Sequence, residues 1–323
     1  MTRAGRGSYD ATVAARGVLT NARPASVPAA FIRASRMSTR IAAMFLPAAT
    51  TGTVLACHRS ALTLLVGNHL VTVAPDAAGG LPDGLNVGPV FAPATLGIRP
   101  GMPVVAGEHG LLIGEALAID VTSATCWSPV LRRVPVAAPG LPVRASAVRA
   151  AMALDDRAFG MDRPTSSFRA VAAPLISDLA AALGEDSAAT AAIGARLIGL
   201  GPGLTPSGDD LLVGLVAALF ALGDTRAALL AGTWATFAAT RTTPVAASFH
   251  RHAAAGDFAE RLHDLLAAVL AGPPDGIARS VQRAVAWGAT SGADTVLGVC
   301  LALAAAAMAE APCQMQPDER TAA

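Results

Sequence analysis

The residues best suited to chemistry lie in one glycine-rich loop, residues 199–210, with the sequence GLGPGLTPSGDD. Alternating glycines permit positive φ angles and let a ligand approach the backbone, while two prolines stiffen the loop. The loop enters an apolar helix, whose first N–H groups lack partners within the helix and carry the positive end of the helix dipole. The pattern predicts an oxyanion site for carbamoyl phosphate or a carboxylate, with the ligand at Gly201, Gly203 and Gly208 and with Thr205 and Ser207 as hydroxyl donors.

Two adjacent carboxylates, Asp209 and Asp210, complicate an anion site because they repel anions and compete for the same N–H groups. The conflict disappears if one carboxylate caps the helix and the other faces Mg²⁺ or the NH₂ of a carbamoyl or amide group. The predicted catalytic residues are therefore Asp209, Asp210, Thr205 and Ser207. No cofactor is expected apart from Mg²⁺, which Asp209 and Asp210 would allow. The alternative is structural, since Ser207-x-x-Asp210 has the spacing of a helix capping box.

A second copy of this pattern occurs near the carboxyl end of the chain. Residues 291–298 read SGADTVLG and residues 207–214 read SGDDLLVG. Each copy predicts a helix start, followed by a glycine that lets a neighbouring helix pack closely. We expect both helix starts at one pocket, with substrate or phosphate contacts from Thr290, Ser291, Gly292 and Asp294. Chance recurrence of a helix start is the alternative.

A cationic cluster lies between the two copies and comprises Arg241, His250, Arg251 and His252. Arg241 and His250 are predicted to clamp a carboxylate or phosphate. A solvated helix face is the alternative interpretation. Zinc is not expected, because two histidines at this spacing point away from each other on a helix.

Composition excludes several classes of function. All 24 basic residues are Arg, so Schiff-base chemistry, a lysine base and a Walker-type lysine are excluded. A net charge of +1 with 15% charged residues argues against nucleic-acid binding. Mean hydropathy is high at +0.50, yet the apolar runs 211–222 and 296–308 are shorter than the roughly 20 residues of a membrane span. Four cysteines without a CxxC pair indicate reduced thiols and a cytoplasmic location.

The elements that position these residues predict an α+β fold in two domains. Residues 46–140 contain short β-rich runs separated by turn signals, which indicates a small antiparallel β domain, either a barrel or a sandwich. Residues 141–312 contain segments with helical spacing, which indicates a helical bundle carrying the glycine-rich loop. Residues 1–45 are rich in Arg and are expected to be disordered or an overextended start, with Met37 or Met44 as alternative starts. Residues 313–323 are expected to form a disordered tail.

Three segments resemble a bacterial family typified by the AllH subunit of oxamate carbamoyltransferase, which acts in allantoin catabolism, a part of purine degradation. They are residues 197–210, residues 288–294 and Trp127-Ser128-Pro129, and the resemblance spans about residues 50–310. It implies a hetero-oligomer with FdrA-like and AllG-like subunits that exchanges carbamoyl groups between oxalurate or oxamate-type substrates and phosphate. The alternative is a non-catalytic ligand-binding or assembly subunit, which helices rich in Ala and Leu would also suit.

Overall fold

The computed structural model describes residues 28–45, 48–153 and 167–310. The chain divides into two compact units. The β unit holds the described residues up to Pro129 together with Ala259–Arg261, and the helical unit holds Val130–Phe258 and the described residues from Leu262 onward. The division falls at residue 129 rather than at the predicted residue 140, so residues 130–140 belong to the helical unit.

The β unit is one ten-stranded sheet with the order β1-β9-β8-β7-β3-β4-β5-β6-β2-β10. Its strands and its single-turn helix α1 are β1 (Ala30–Arg33), β2 (Arg36–Ser38), α1 (Thr39–Ala42), β3 (Thr50–Cys57), β4 (Leu62–Val66), β5 (His69–Ala74), β6 (Gly84–Asn86), β7 (Pro103–Gly107), β8 (Gly110–Ile113), β9 (Leu117–Asp120) and β10 (Thr125–Trp127). Buried aliphatic side chains from the first and the second half of this unit's sequence form its core. Successive side chains of a strand point to opposite faces, so apolar residues on one face can be buried together.

The sheet curls because its two ends are carried on neighbouring stretches of chain. Only Ala34 and Ser35 separate β1 at one end from β2 near the other. The N–H of Thr125 donates to Ser35 O at 3.0 Å, and the N–H of Ser35 donates to Asn86 O at 2.9 Å. The ten strands form one curled sheet whose edge strands are β1 and β10. Six of the nine strand pairings are antiparallel, and β1–β9, β2–β10 and β5–β6 are parallel.

The prediction that excluded residues 1–45 from the fold is wrong for residues 28–45, which form β1, β2 and α1. Two of the arginines that suggested disorder, Arg33 and Arg36, are paired with acids in the folded unit. Arg36 forms a bidentate ion pair with Glu260, at 2.7 and 2.6 Å, and Arg33 lies 3.7 Å from Asp120. Composition cannot show such long-range pairing. Residues 1–27 and the predicted tail, residues 313–323, lie outside the described residues.

The described part of the helical unit contains nine helices, and each overlaps one predicted helical segment. They are α2 (Leu141–Met152), α3 (Ser167–Ala182), α4 (Ser187–Leu197), α5 (Ser207–Leu222), α6 (Ala227–Arg241), α7 (Pro244–Ala254), α8 (Glu260–Leu270), α9 (Ile277–Val285) and α10 (Ser291–Glu310). The α+β class is therefore confirmed. Thirteen of the sixteen residues of α5 are buried, as expected of a helix that is apolar on all sides.

Helices α5 and α10 cross in close contact at two glycines. A Cβ on Gly214 would lie 2.0 Å from Thr295 O, and a Cβ on Gly298 would lie 1.9 Å from Leu211 O. No side chain fits at either position. The predicted role of these two glycines in close helix packing is confirmed.

Helix α10 is the one described helix that is long and apolar enough to cross a membrane, by length and composition alone. A stretch of 18 residues within this 20-residue helix has a mean hydropathy of 1.8, and 61% of that stretch is buried inside the protein. Burial against α5 explains the apolar sequence of α10, because a core helix needs an apolar surface on most sides.

Candidate functional site

The glycine-rich loop folds tightly onto its own surroundings. Gly199, Gly201 and Gly203 have φ angles of +77°, +122° and +98°, as the sequence predicted. A Cβ on Gly201 would lie 2.7 Å from Ser207 N, and a Cβ on Gly208 would lie 1.9 Å from Leu197 O, whereas Gly203 has nothing within 4 Å. Gly201 and Gly208 therefore serve the packing of the loop, and only Gly203 has the open space expected for a ligand. Ser207, expected to be catalytic, packs against Gly201.

Three amides at the start of α5 are satisfied inside the protein. The N–H of Gly208 donates to Leu200 O at 2.9 Å, and those of Asp209 and Asp210 donate to Pro206 O at 2.9 and 3.1 Å. The prediction that unpaired first-turn amides hold an oxyanion is contradicted for these three groups. The capping box is also absent, because the N-cap residue is Pro206 and no side chain caps the helix.

Asp209 anchors the loop to the rest of the helical unit. Its Oδ2 accepts hydrogen bonds from the N–H of Gly199 and the hydroxyl of Thr242, both at 2.9 Å. Its Oδ1 lies 2.9 Å from His250 Nε2, and both side chains are 2% exposed. All these partners belong to the protein. Asp209 therefore holds the loop, the start of α5 and α7 together, and it neither caps the helix nor faces a ligand.

Residues 241–243 brace the same loop from the other side, which the sequence analysis missed. Arg241 O lies 2.3 Å from where a Cβ on Gly199 would be. The Thr243 hydroxyl donates to Leu204 O, and it also accepts from the N–H of Ala246 as the N-cap of α7. The Thr-Pro sequence at residues 243–244 is a helix-start signal that could have identified this contact.

Asp210, Thr205 and Ser291 form a hydrogen-bonded triangle, which we call the carboxyl–hydroxyl triangle. The oxygens of Thr205 and Ser291 lie 2.9 Å apart, and both hydroxyls hydrogen-bond to the Asp210 carboxyl. Ser291 is the first residue of α10, so the two helix starts meet here as the repeated pattern predicted. Asp210 is 8% exposed, and its Oδ2 has no hydrogen-bond partner in the structure.

Burial raises the pKa of Asp210 well above the ordinary value of an aspartate. The hydroxyls of Ser291 and Thr205 oppose this shift, while the nearby carboxyls of Asp294 and Asp209 reinforce it. Each hydroxyl carries one proton, so two hydroxyls can supply only two of the three hydrogen bonds in the triangle. A protonated Asp210 would supply the third, and the direction of the pKa shift favours this form.

The remaining residues of the second copy surround the triangle or support it. Asp294 is fully buried and close enough to Asp210 for their charges to interact. The backbone of Thr290 accepts the Asp294 N–H at 2.9 Å. A Cβ on Gly292 would lie 2.1 Å from Ala284 O, so Gly292 matches Gly208 in packing a helix start against the preceding helix.

The predicted cationic clamp does not assemble. His250 is buried against Asp209, while Arg241 and Arg251 are exposed. The guanidinium of Arg241 stacks on the Phe237 ring, 4.6 Å from its centroid. His250 therefore points into the core, whereas the side chains of Arg241 and Arg251 point outward.

No group of three His, Cys, Asp or Glu side chains within the described ranges is arranged to hold a metal ion. Both oxygens of Asp209 are engaged by the protein, so Mg²⁺ shared by Asp209 and Asp210 would have to displace these contacts. The Mg²⁺ site stays a prediction.

The fold and the site define an α+β protein in which two helix starts bring a buried carboxyl and two hydroxyls together. Residues 197–303 match the family model described as oxamate carbamoyltransferase subunit AllH. The match contains the loop, the whole triangle and both copies of the repeated pattern, so the resemblance is confirmed over this segment. No solved structure matches the chain.

Proposed function

We propose that this chain is a cytoplasmic subunit of a carbamoyltransferase that exchanges carbamoyl groups between oxalurate or oxamate-type substrates and phosphate. Its partners in this proposal are FdrA-like and AllG-like subunits. The observation that carries the proposal is the carboxyl–hydroxyl triangle, which lies within the segment matching a carbamoyltransferase subunit family.

The triangle suits the proton transfer that this reaction requires. A phosphate oxygen bonds to the carbamoyl carbon of oxalurate, the C–N bond breaks, and the electron pair stays on the nitrogen of oxamate. That nitrogen needs a proton, and the attacking hydrogen phosphate releases one. Asp210 can deliver the first proton in its neutral form and accept the second as a carboxylate, so that no net proton is consumed.

The pKa of Asp210 supports this role. A carboxyl with an ordinary pKa is almost fully ionised at neutral pH and has no proton to give. Burial and the carboxyls of Asp294 and Asp209 raise its pKa, which favours the protonated form that a general acid needs.

The proposal is tested by phosphate-dependent cleavage of oxalurate, measured on the chain alone and on the chain reconstituted with its partner subunits. We expect the complex to be active and its Asp210→Asn form to lose about 10²-fold or more in kcat, because general acid–base catalysis contributes about that much. Asp224→Asn, which alters an acid just beyond the carboxyl end of α5, is the matched control and should keep its activity. Full activity in Asp210→Asn would contradict a catalytic role.

A second candidate is a non-catalytic ligand-binding or assembly subunit. It is favoured by the first-turn amides of α5, which bond within the protein instead of facing a ligand. In that case the complex would turn over oxalurate at the same rate with wild-type chain and with Asp210→Asn. The chain would then be required for assembly of the complex but not for its chemistry.

A further inference from the structure

One atom of the site is left without the partner that its burial requires. Oδ2 of Asp210 is buried and accepts no hydrogen bond. The residue as a whole is 8% exposed. A buried carboxyl oxygen without a donor is costly, and such atoms in native proteins usually call for an explanation. The two hydroxyls of the triangle bond to each other, and the described protein supplies no donor to Oδ2, so a donor on a bound molecule would satisfy this atom.

The surroundings of Oδ2 select the chemistry of that ligand. The carboxyls of Asp209 and Asp294 are close enough to raise the pKa of Asp210 by repulsion, so an anionic group would be repelled as well. An ionised Asp210 makes Oδ2 an anionic acceptor. A neutral Asp210 whose proton lies within the triangle makes Oδ2 a carbonyl-type acceptor. Either form matches a hydrogen-bond donor.

We infer that Oδ2 of Asp210 accepts a hydrogen bond from the NH₂ group of an unsubstituted amide or carbamoyl group on the substrate. The choice of an amide as the donor rests on the proposed function. The charge of the buried Asp294 carboxyl on the neighbouring helix acts on Asp210, and it favours a group with partly positive N–H protons over an anion. Asp210 thereby selects primary amides over N-alkylated ones, in addition to moving a proton.

The inference is tested by calorimetric binding of three probes to the purified full chain: oxamate, N,N-dimethyloxamate and pyruvate. The three share a 2-oxo carboxylate, and only oxamate has an NH₂ group. Loss of a hydrogen bond to a buried acceptor changes affinity by about tenfold or more. We therefore expect oxamate to bind at least about tenfold more tightly than either of the other probes.

The Asp210→Ala variant should bind all three probes with similar affinity, and Asp224→Ala should keep the wild-type preference. Equal binding of the three probes to the wild-type chain, or no measurable binding of oxamate, would overturn the inference. The wild-type comparison decides the question even if Asp210→Ala fails to fold.

The same measurements separate the inference from the proposed function. If the chain prefers oxamate but the reconstituted complex does not cleave oxalurate, the proposed function is refuted and the inference stands. If the complex cleaves oxalurate but the chain binds the three probes equally, the proposed function stands and the inference is refuted.

Discussion

His250 Nε2 and Asp209 Oδ1 lie 2.9 Å apart in the core of the helical unit, and each side chain is 2% exposed. Removal of His250 leaves Oδ1 of Asp209 without this partner in a region that water does not reach, while Oδ2 keeps Gly199 and Thr242. His250→Ala should therefore lower the free energy of unfolding by about 3–5 kcal/mol, measured by urea denaturation at neutral pH. Asp224→Asn, which breaks the partly exposed Asp224–Arg226 pair, should cost less than about 1 kcal/mol. Similar losses in the two variants would mean that the buried pair does not anchor the loop.

The crossing of α5 and α10 predicts opposite effects for two Gly→Ala substitutions. Gly214→Ala should destabilise the protein by at least about 2 kcal/mol, because the backbone of α10 has to move away from the new Cβ. Gly232→Ala on α6 is the matched control, since Gly232 is exposed and has nothing within 4 Å of a Cβ. It should stabilise the protein by about 0.5–1 kcal/mol through helix propensity. Thermal unfolding of both variants measures the difference, and a neutral Gly214→Ala would contradict the close crossing.

The raised pKa of Asp210 predicts how stability depends on pH. The folded protein binds this proton more tightly than the unfolded chain, whose aspartates titrate near 3.8. The resulting stabilisation is fully present below that value and is lost as pH rises through the folded-state pKa. Wild-type protein should therefore lose stability relative to Asp210→Asn, which cannot ionise, as pH increases. Melting temperatures of both proteins from about pH 4 to about pH 9 measure this. A stability difference that does not change with pH would argue against a protonated Asp210.

Arg144 forms a second buried polar anchor, in α2. Its guanidinium is 1% exposed and donates to four backbone carbonyls at 2.6–2.9 Å, those of Ala137, Ala138, Val269 and Gly272. Arg144→Met should cost more than about 2 kcal/mol in chemical denaturation, because these carbonyls lose charged donors. Arg144→Lys should restore only part of the loss, since an ammonium cannot reproduce the planar fork of donors. The exposed Arg283 gives the control, and Arg283→Met should be neutral within about 0.5 kcal/mol.

Local patterns in the sequence were enough to predict much of the fold. The sequence predicted a helical segment at each of the nine described helices of the helical unit. It could do so because the spacing of apolar residues is a local property of the sequence. The glycines of the loop have the positive φ angles that their spacing predicted. The repeated Ser-Gly-x-Asp pattern correctly predicted that two helix starts meet, because each copy carries a glycine that permits close packing.

Only the tertiary structure decided what each polar group does. Asp209 and Asp210 are adjacent and chemically identical, yet one is saturated by Gly199, Thr242 and His250 while the other keeps a free oxygen. Neighbouring residues on a helix point about 100° apart, so the partners that each carboxyl meets depend on distant segments of the chain. The same reason separates His250, which is buried against Asp209, from the exposed Arg251 beside it. Sequence identifies the residues that can do chemistry, and long-range packing determines which of them remain available for it.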